Sequence, residues 1–203
     1  MKVKILFAAL SACFAVTKTS SAAVVITATE SVGNVEVTAT GTLDLSGGTY
    51  NGPFLPGSGV NPEQPGITIA LTFVDQYGFS SVTGPSNYGI DTSGGTGWSA
   101  SGVTGDNFGF IFDSVTNNMT VRTAFTGSQE SAIGPISSSM IFNTQTFAGL
   151  GITPGTYVWT LDNGDSITLQ ANAIPEPATS GMLAGVLVFF LTVRRRSSQT
   201  ALS

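Results

Sequence analysis

The chain has 203 residues, of which 25 are glycine and only 9% are charged, a balance that suits one all-β domain with many tight turns and argues against a helical bundle. Six of the seven basic residues lie near the two ends, whereas Val24 to Pro175 holds eleven carboxylates against one base, Arg122, a net charge of ten negative. Such acidity repels phosphate backbones and excludes nucleic acid as a partner, and the absence of histidine, of lysine beyond Lys18 and of any cysteine but Cys13 excludes His-, Cys- and Lys-dependent nucleophiles and ordinary zinc, copper or haem sites from the middle of the chain.

The first element is an export signal over residues 1–23. Lys2 and Lys4 form a positive start, Ile5 to Val16 is a mostly apolar run, and Ala22 and Ala23 follow a short polar stretch. Ser20/Ala22 and Ser21/Ala23 both supply the small residues that leader cleavage needs at its −3 and −1 positions. Leu10-Ser11-Ala12-Cys13 also matches a lipoprotein cleavage box, but that reading leaves only Ile5 to Ala12 before the cut and strands Phe14 to Val16 after it.

From residue 24 to 173 the sequence predicts short strands broken by turns, an all-β β-sandwich or jelly-roll-like domain. Val35 to Ala39 continues to Leu45 with period two, and Ile67 to Phe73 alternates in the same way. Pro53 to Pro65 reads as a long surface loop because proline cannot sit in a central strand. Tyr77 to Gly105, rich in Gly and Ser, reads as irregular. Phe108 to Phe112 and Met119 to Thr123 flank Thr116-Asn117-Asn118 as a hairpin, and Met140 to Phe142 gives another strand. Thr156 to Leu161 and Ser166 to Gln170 enclose Asp162-Asn163-Gly164-Asp165, where Asn-Gly predicts a type I′ turn. No stretch before residue 178 has a helical period.

The last element, 174–203, has three parts in order. Ile174-Pro175-Glu176-Pro177 is held extended by its two prolines. Residues 178–193 carry no charge and predict a single transmembrane helix of roughly 24 Å, a little short of a ~30 Å hydrocarbon core. Arg194-Arg195-Arg196 then marks the cytoplasmic edge, which places everything before it outside.

Pro175, Glu176 and Pro177, the apolar helix and Arg194 to Arg196 together resemble the PEP-CTERM sorting signal of exported bacterial proteins. The resemblance covers Ile174 to Arg196. It implies exosortase as a partner, transient residence in the inner membrane, processing near the tripeptide, and a final place at the cell surface or in an exopolysaccharide or biofilm matrix. Gly149 to Trp159 (GLGITPGTYVW) also resembles a stretch found in β-rich members of that group, and no activity comes with it.

The chemistry left to the middle is narrow. Thr92 to Gly97 (TSGGTG) lacks the lysine and the strand-to-helix setting of a phosphate-binding loop and reads as turns. A non-catalytic surface or matrix protein is the expectation, without a cofactor. Two alternatives stay open. A carbohydrate-binding module would use aromatic platforms, for which Trp98, Tyr157 and Trp159 are candidates. A glycoside hydrolase would need a carboxylate pair, which no spacing singles out among the acids. Asp162 and Asp165, facing each other across a turn, are a candidate calcium pair, outside the EF-hand pattern.

Overall fold

The computed structural model describes residues 21–173. Thirteen strands and one helical turn occur in the order β1 (Ala23–Ser31), β2 (Asn34–Asp44), β3 (Thr49–Phe54), β4 (Gly59–Asn61), β5 (Gly66–Ile69), β6 (Val74–Phe79), β7 (Trp98–Ser99), β8 (Gly102–Gly105), β9 (Phe108–Asp113), β10 (Asn118–Ala124), β11 (Ala132–Asn143), α1 (Phe147–Leu150), β12 (Gly155–Thr160) and β13 (Ser166–Ala173). They form two sheets, one ordered β12-β13-β1-β2-β11-β8 and the other β3-β6-β10-β9-β5-β4-β7.

Period-two alternation explains how the sheets pack. In β9, Phe108, Phe110 and Phe112 are buried; in β10, Met119, Val121 and Thr123 are buried between half-exposed neighbours. Val24, Ile26 and Ala28 of β1, Val35, Val37 and Ala39 of β2, and Ile167, Leu169 and Ala171 of β13 contribute from the other sheet to the same core. Each fully buried Phe or Ile side chain stabilises by about 1.5–3 kcal/mol relative to exposure, so one inward face per sheet fixes both register and pairing. The expected all-β, two-sheet architecture is therefore observed.

Several local expectations change. Ile67 to Phe73 is not one strand: β5 stops at Ile69, and β6 starts at Val74 after a bend that exposes Leu71 and Phe73. Pro53 to Pro65 is not all loop, since β3 reaches Phe54 and β4 forms at Gly59–Asn61. The proline rule still holds, because β3 is an edge strand. The Gly- and Ser-rich stretch from Tyr77 to Gly105 contains the end of β6 and the short strands β7 and β8. One helical turn, α1, forms where Thr146 accepts the Gly149 N–H at its start and Gly151 turns left-handed at its end.

β1 is the element that the sequence pattern did not isolate. It pairs antiparallel with β2 through Ser31↔Asn34 and parallel with β13 from Ala23↔Ser166 to Glu30↔Ala173. The chain thus enters and leaves the domain on neighbouring strands but at opposite ends of them, roughly 23 Å apart at 3.3 Å per residue. The β1–β2 connection is a two-residue turn with Val32 at φ 44° and Gly33 at φ 74°, the pair of positive angles that a type I′ turn requires. Val32 is a poor occupant: it is β-branched in the left-handed region and 82% exposed, so packing returns nothing. Val32→Asn is expected to raise stability by about 1 kcal/mol and the Tm by roughly 3 °C. Thermal unfolding of the two proteins side by side checks this, and an unchanged or lower Tm would refute the assignment of strain.

Among the described residues no helix is long and apolar enough to cross a membrane. The predicted span 178–193, the leader before Ser21, and the sorting residues Pro175, Glu176, Pro177, Arg194, Arg195 and Arg196 lie outside the described residues.

Candidate functional site

The loop before β7 is built around Asp91. Its carboxylate accepts the Ser93 hydroxyl (2.5 Å) and the Ser93 N–H (2.7 Å) on Oδ1, and the Gly95 N–H on Oδ2. The Ser93 hydroxyl, followed by the Ser93 N–H, holds Asp91 below the usual aspartate range, against a smaller upward push from burial. The loop so closed delivers Trp98 to the edge of the seven-stranded sheet. Trp98 donates from Nε1 to the Thr92 hydroxyl at 3.0 Å, and that hydroxyl donates to the Gly149 carbonyl at 2.7 Å. The indole is half-buried and fixed at one end only.

β7 can reach β4 because residue 59 is glycine: a Cβ there would stand 1.9 Å from the Trp98 carbonyl oxygen. The two strands pair as Gly59↔Ser99 and Val60↔Trp98. Beside β7 this leaves a groove of about 230 Å³ on the outer face of the sheet, with Asn61, Thr68, Thr96, Ser99 and Ile111 among its walls and no acidic or basic side chain lining it. Trp98, in register with buried Val60, packs its ring against the core.

The floor is braced from the centre of the sheet. Thr68, Gly109 and Arg122 lie in one row across β5, β9 and β10. With no side chain at Gly109 in the way, Arg122 donates from Nη1 to the Thr68 hydroxyl at 2.8 Å. Its guanidinium carbon stands 5.2 Å from the centre of the Phe54 ring, a cation–π contact. Burial lowers the Arg122 pKa from its ordinary value, and its Nε is buried without a partner. Hydroxyls and an amide around a shallow groove without charged side chains can hold a neutral polyhydroxylated ligand.

The three aromatic candidates part company here. Trp98 stands at the rim of the groove, with its ring turned to the core side beside Val60. Trp159 is 0% exposed; its Nε1 donates to the Pro85 carbonyl at 3.1 Å and its ring packs 4.8 Å from Phe110. It has no face for stacking a sugar, because period-two alternation in β12 turns it into the core. Tyr157 is half-buried, donates to the Thr153 carbonyl at 2.9 Å and packs 6.1 Å from Tyr88, away from the residues that line the groove.

The proposed calcium pair does not converge. Asp162 is exposed on the turn, whereas Asp165 is only 5% exposed and points inward. Asp165 Oδ1 accepts the Ala22 N–H at 2.9 Å, and Oδ2 accepts the Asp44 N–H at 2.7 Å. The turn itself also differs from expectation. Leu161 N–H binds the Asp165 carbonyl, Gly164 N–H binds the Leu161 carbonyl, and only Gly164 (φ 90°) takes a positive angle. That is a three-residue loop with a left-handed glycine, not a type I′ turn. Among the described residues no group of three His, Cys, Asp or Glu side chains comes together to hold a metal ion.

A second hollow of about 230 Å³ is lined by Asp106 and Glu130 together with Thr126, Ile133 and Pro135. The Asp106 Oδ2 already accepts the Ser137 N–H at 2.8 Å. Thr68, Arg122 and Thr92 were not singled out by the sequence. The alternation around Ile67 and Ile69 puts Thr68 on the outer face, but its pairing with Arg122 joins residues 54 positions apart.

Comparison with protein families, with curated proteins and with solved structures gives no match.

Proposed function

We propose that this is an exported, non-catalytic β-sandwich protein of the cell surface or extracellular matrix, sorted by the 174–203 segment and processed by exosortase. The observation that carries the reading is the position of the fold between the two address segments. Every strand of the described residues lies within Ala23 to Ala173, and the next residues are Ile174-Pro175-Glu176-Pro177. A cut near the tripeptide would therefore leave those thirteen strands in place. The net negative charge of the same stretch and the basic clusters outside it fit passage of the acidic part across the inner membrane. The mass of the protein recovered from native cells tests this. Loss of about 22 N-terminal residues together with everything beyond the tripeptide is expected; retention of Arg194 to Arg196 would mean an ordinary membrane anchor instead.

A second reading, a carbohydrate-binding module with the same address, is favoured by the groove beside β7. Its uncharged lining and the acidity of the domain as a whole favour neutral over anionic polysaccharide. Trp98→Ala is expected to weaken retention on an immobilised neutral polysaccharide by about tenfold, through loss of the aromatic residue that shapes the groove's rim, while leaving the Tm within a few degrees. Equal retention of the two proteins would remove the groove from the argument. The hollow lined by Asp106 and Glu130 is where a glycoside hydrolase would be tested first; release of reducing sugar that disappears in Glu130→Gln would establish it and overturn the non-catalytic reading.

A further inference from the structure

Asp165 is a buried carboxylate whose partners include the first described residues of the chain, and we propose that it receives the α-ammonium group created by leader removal, with Ala22 as the first residue of the mature protein. The proposal rests on the export reading. Asp165 Oδ1 lies 2.9 Å from the Ala22 nitrogen, and the Ala22 carbonyl accepts the Ser166 N–H at 3.2 Å. Ala22 is thus held on both its donor and its acceptor side at the point where β1 joins β13.

The charged groups around Asp165 make a cation welcome there. Asp44 gives its backbone N–H to Asp165 Oδ2 while its own carboxylate accepts the Ser46 N–H, and Asp162 stands exposed three residues before on the same turn. Both are acidic. Among the described residues the one base, Arg122, is on the other sheet and bonded to Thr68.

The sequence permits the cut. Thr19 and Ser21 occupy the −3 and −1 positions before Ala22, and both are small and uncharged. A cut after Ala22 or Ala23 would remove a donor to a buried carboxylate and the acceptor of the Ser166 N–H. A cut before Ala22 keeps both and gives up only the longer bond from the Ser21 hydroxyl to Asp165 Oδ1, 3.2 Å. It also replaces a neutral amide donor by an ammonium, and hydrogen bonds between ionised partners are the stronger ones. The step is the hydrolysis that a leader peptidase performs: water adds its hydroxyl to the Ser21 carbonyl carbon, the Ser21–Ala22 bond breaks, and the nitrogen takes up protons to become the α-ammonium. Ser21, whose hydroxyl donates to the Gly164 carbonyl at 2.5 Å before the cut, departs with the leader.

The test exploits a peculiarity of composition. Lysine stops at Lys18, so the mature chain has a single primary amine. An N-hydroxysuccinimide ester at about pH 7.5 is reacted with the exported full-length gene product, first native and then in urea, and labelling is followed by intact mass. The expected result is a chain starting at Ala22 whose amine labels at least about tenfold more slowly when native, equivalent to one unit of pKa, with fast labelling restored in Asp165→Asn. If Asp165→Asn does not fold, Asp165→Glu and the native-against-urea ratio of the unaltered chain decide. A first residue of Ala23 or Val24, or an Ala22 amine as reactive in the native chain as in urea, overturns the proposal with the export reading intact. A mass that retains the residues before Thr19 overturns the export reading itself.

Discussion

Replacing Asp75 by Asn is expected to destabilise the domain by about 3 kcal/mol, which lowers the Tm by roughly 6–12 °C. Asp75 is 0% exposed in β6, on the inward face of the seven-stranded sheet. Its Oδ1 accepts the Tyr50 hydroxyl at 2.9 Å. Its Oδ2 accepts the Thr126 N–H (2.8 Å), the Thr126 hydroxyl (3.1 Å) and the Gly127 N–H (3.1 Å). Burial alone pushes the carboxyl up, but these donors, led by the Thr126 N–H, outweigh it and hold Asp75 below its ordinary 3.8. An amide in the same place turns at least one N–H group toward donors that need an acceptor, and buried donors left without one are what make the substitution costly.

The same group sets a pH dependence with a definite sign. Because its folded-state value is lowered, the contribution of Asp75 is complete above 3.8 and is lost as pH falls through the lower folded value. The Tm difference between the natural protein and Asp75→Asn should therefore be constant above about pH 5 and shrink as acid is added below the ordinary aspartate value. Thermal unfolding at a series of pH values reads it directly. A difference that grows in acid would mean that the carboxyl is protonated in the fold at neutral pH.

Trp159→Ala is expected to destabilise by about 4 kcal/mol, enough to halve or abolish the yield of folded protein. Trp159 is the largest of the fully buried side chains and joins both sheets: it belongs to β12 but packs on Phe110 of β9, and Tyr88 meets it edge-on at 6.3 Å. Removing it opens a cavity that two rigid sheets close poorly. Trp159→Phe separates packing from polar satisfaction. It keeps a ring against Phe110 but loses the bond to Pro85 and part of the indole packed beside Gly84, and about 2 kcal/mol is expected. If Trp159→Phe instead keeps full stability and loses polysaccharide retention, Trp159 is a ligand platform and its place in the core is wrong.

The strands that the sequence displayed best are those whose alternation is local and whose turns carry their own chemistry. β9 and β10 were readable because three phenylalanines at period two precede an Asn-containing turn, in which Asn117 does take a positive φ of 55°. β12 and β13 were readable for the same reason. The details of their turn were not, because Asn-Gly serves equally in a two-residue and a three-residue loop, and the inward rotation of Asp165 toward Ala22, 143 positions away, goes with the longer one. β1 was hidden by adjacency: Val24 to Thr29 alternates well, but its first residues also satisfy the small-residue rule for leader cleavage. Trp98 stood out as an aromatic in a Gly- and Ser-rich stretch; it stands at the rim of a groove with its ring packed on the core side. Its support, by contrast, runs through Thr92, Gly149, Thr68 and Arg122, contacts that exist only once distant strands have been brought into register. Asp75 was one acid among eleven, since nothing in its neighbours foretells that Thr126 and Gly127 will turn their amides toward it.

The pairing of the first and last strands has a mechanical consequence. Because β1 and β13 run side by side in the same direction, tension applied between the two ends of the domain pulls along their shared ladder and loads its hydrogen bonds simultaneously, as a lap joint is loaded, instead of opening them one after another from a tip. A sandwich closed in this way yields only when eight residue pairs slide past one another together. Such a domain resists stretching between its first and last strands.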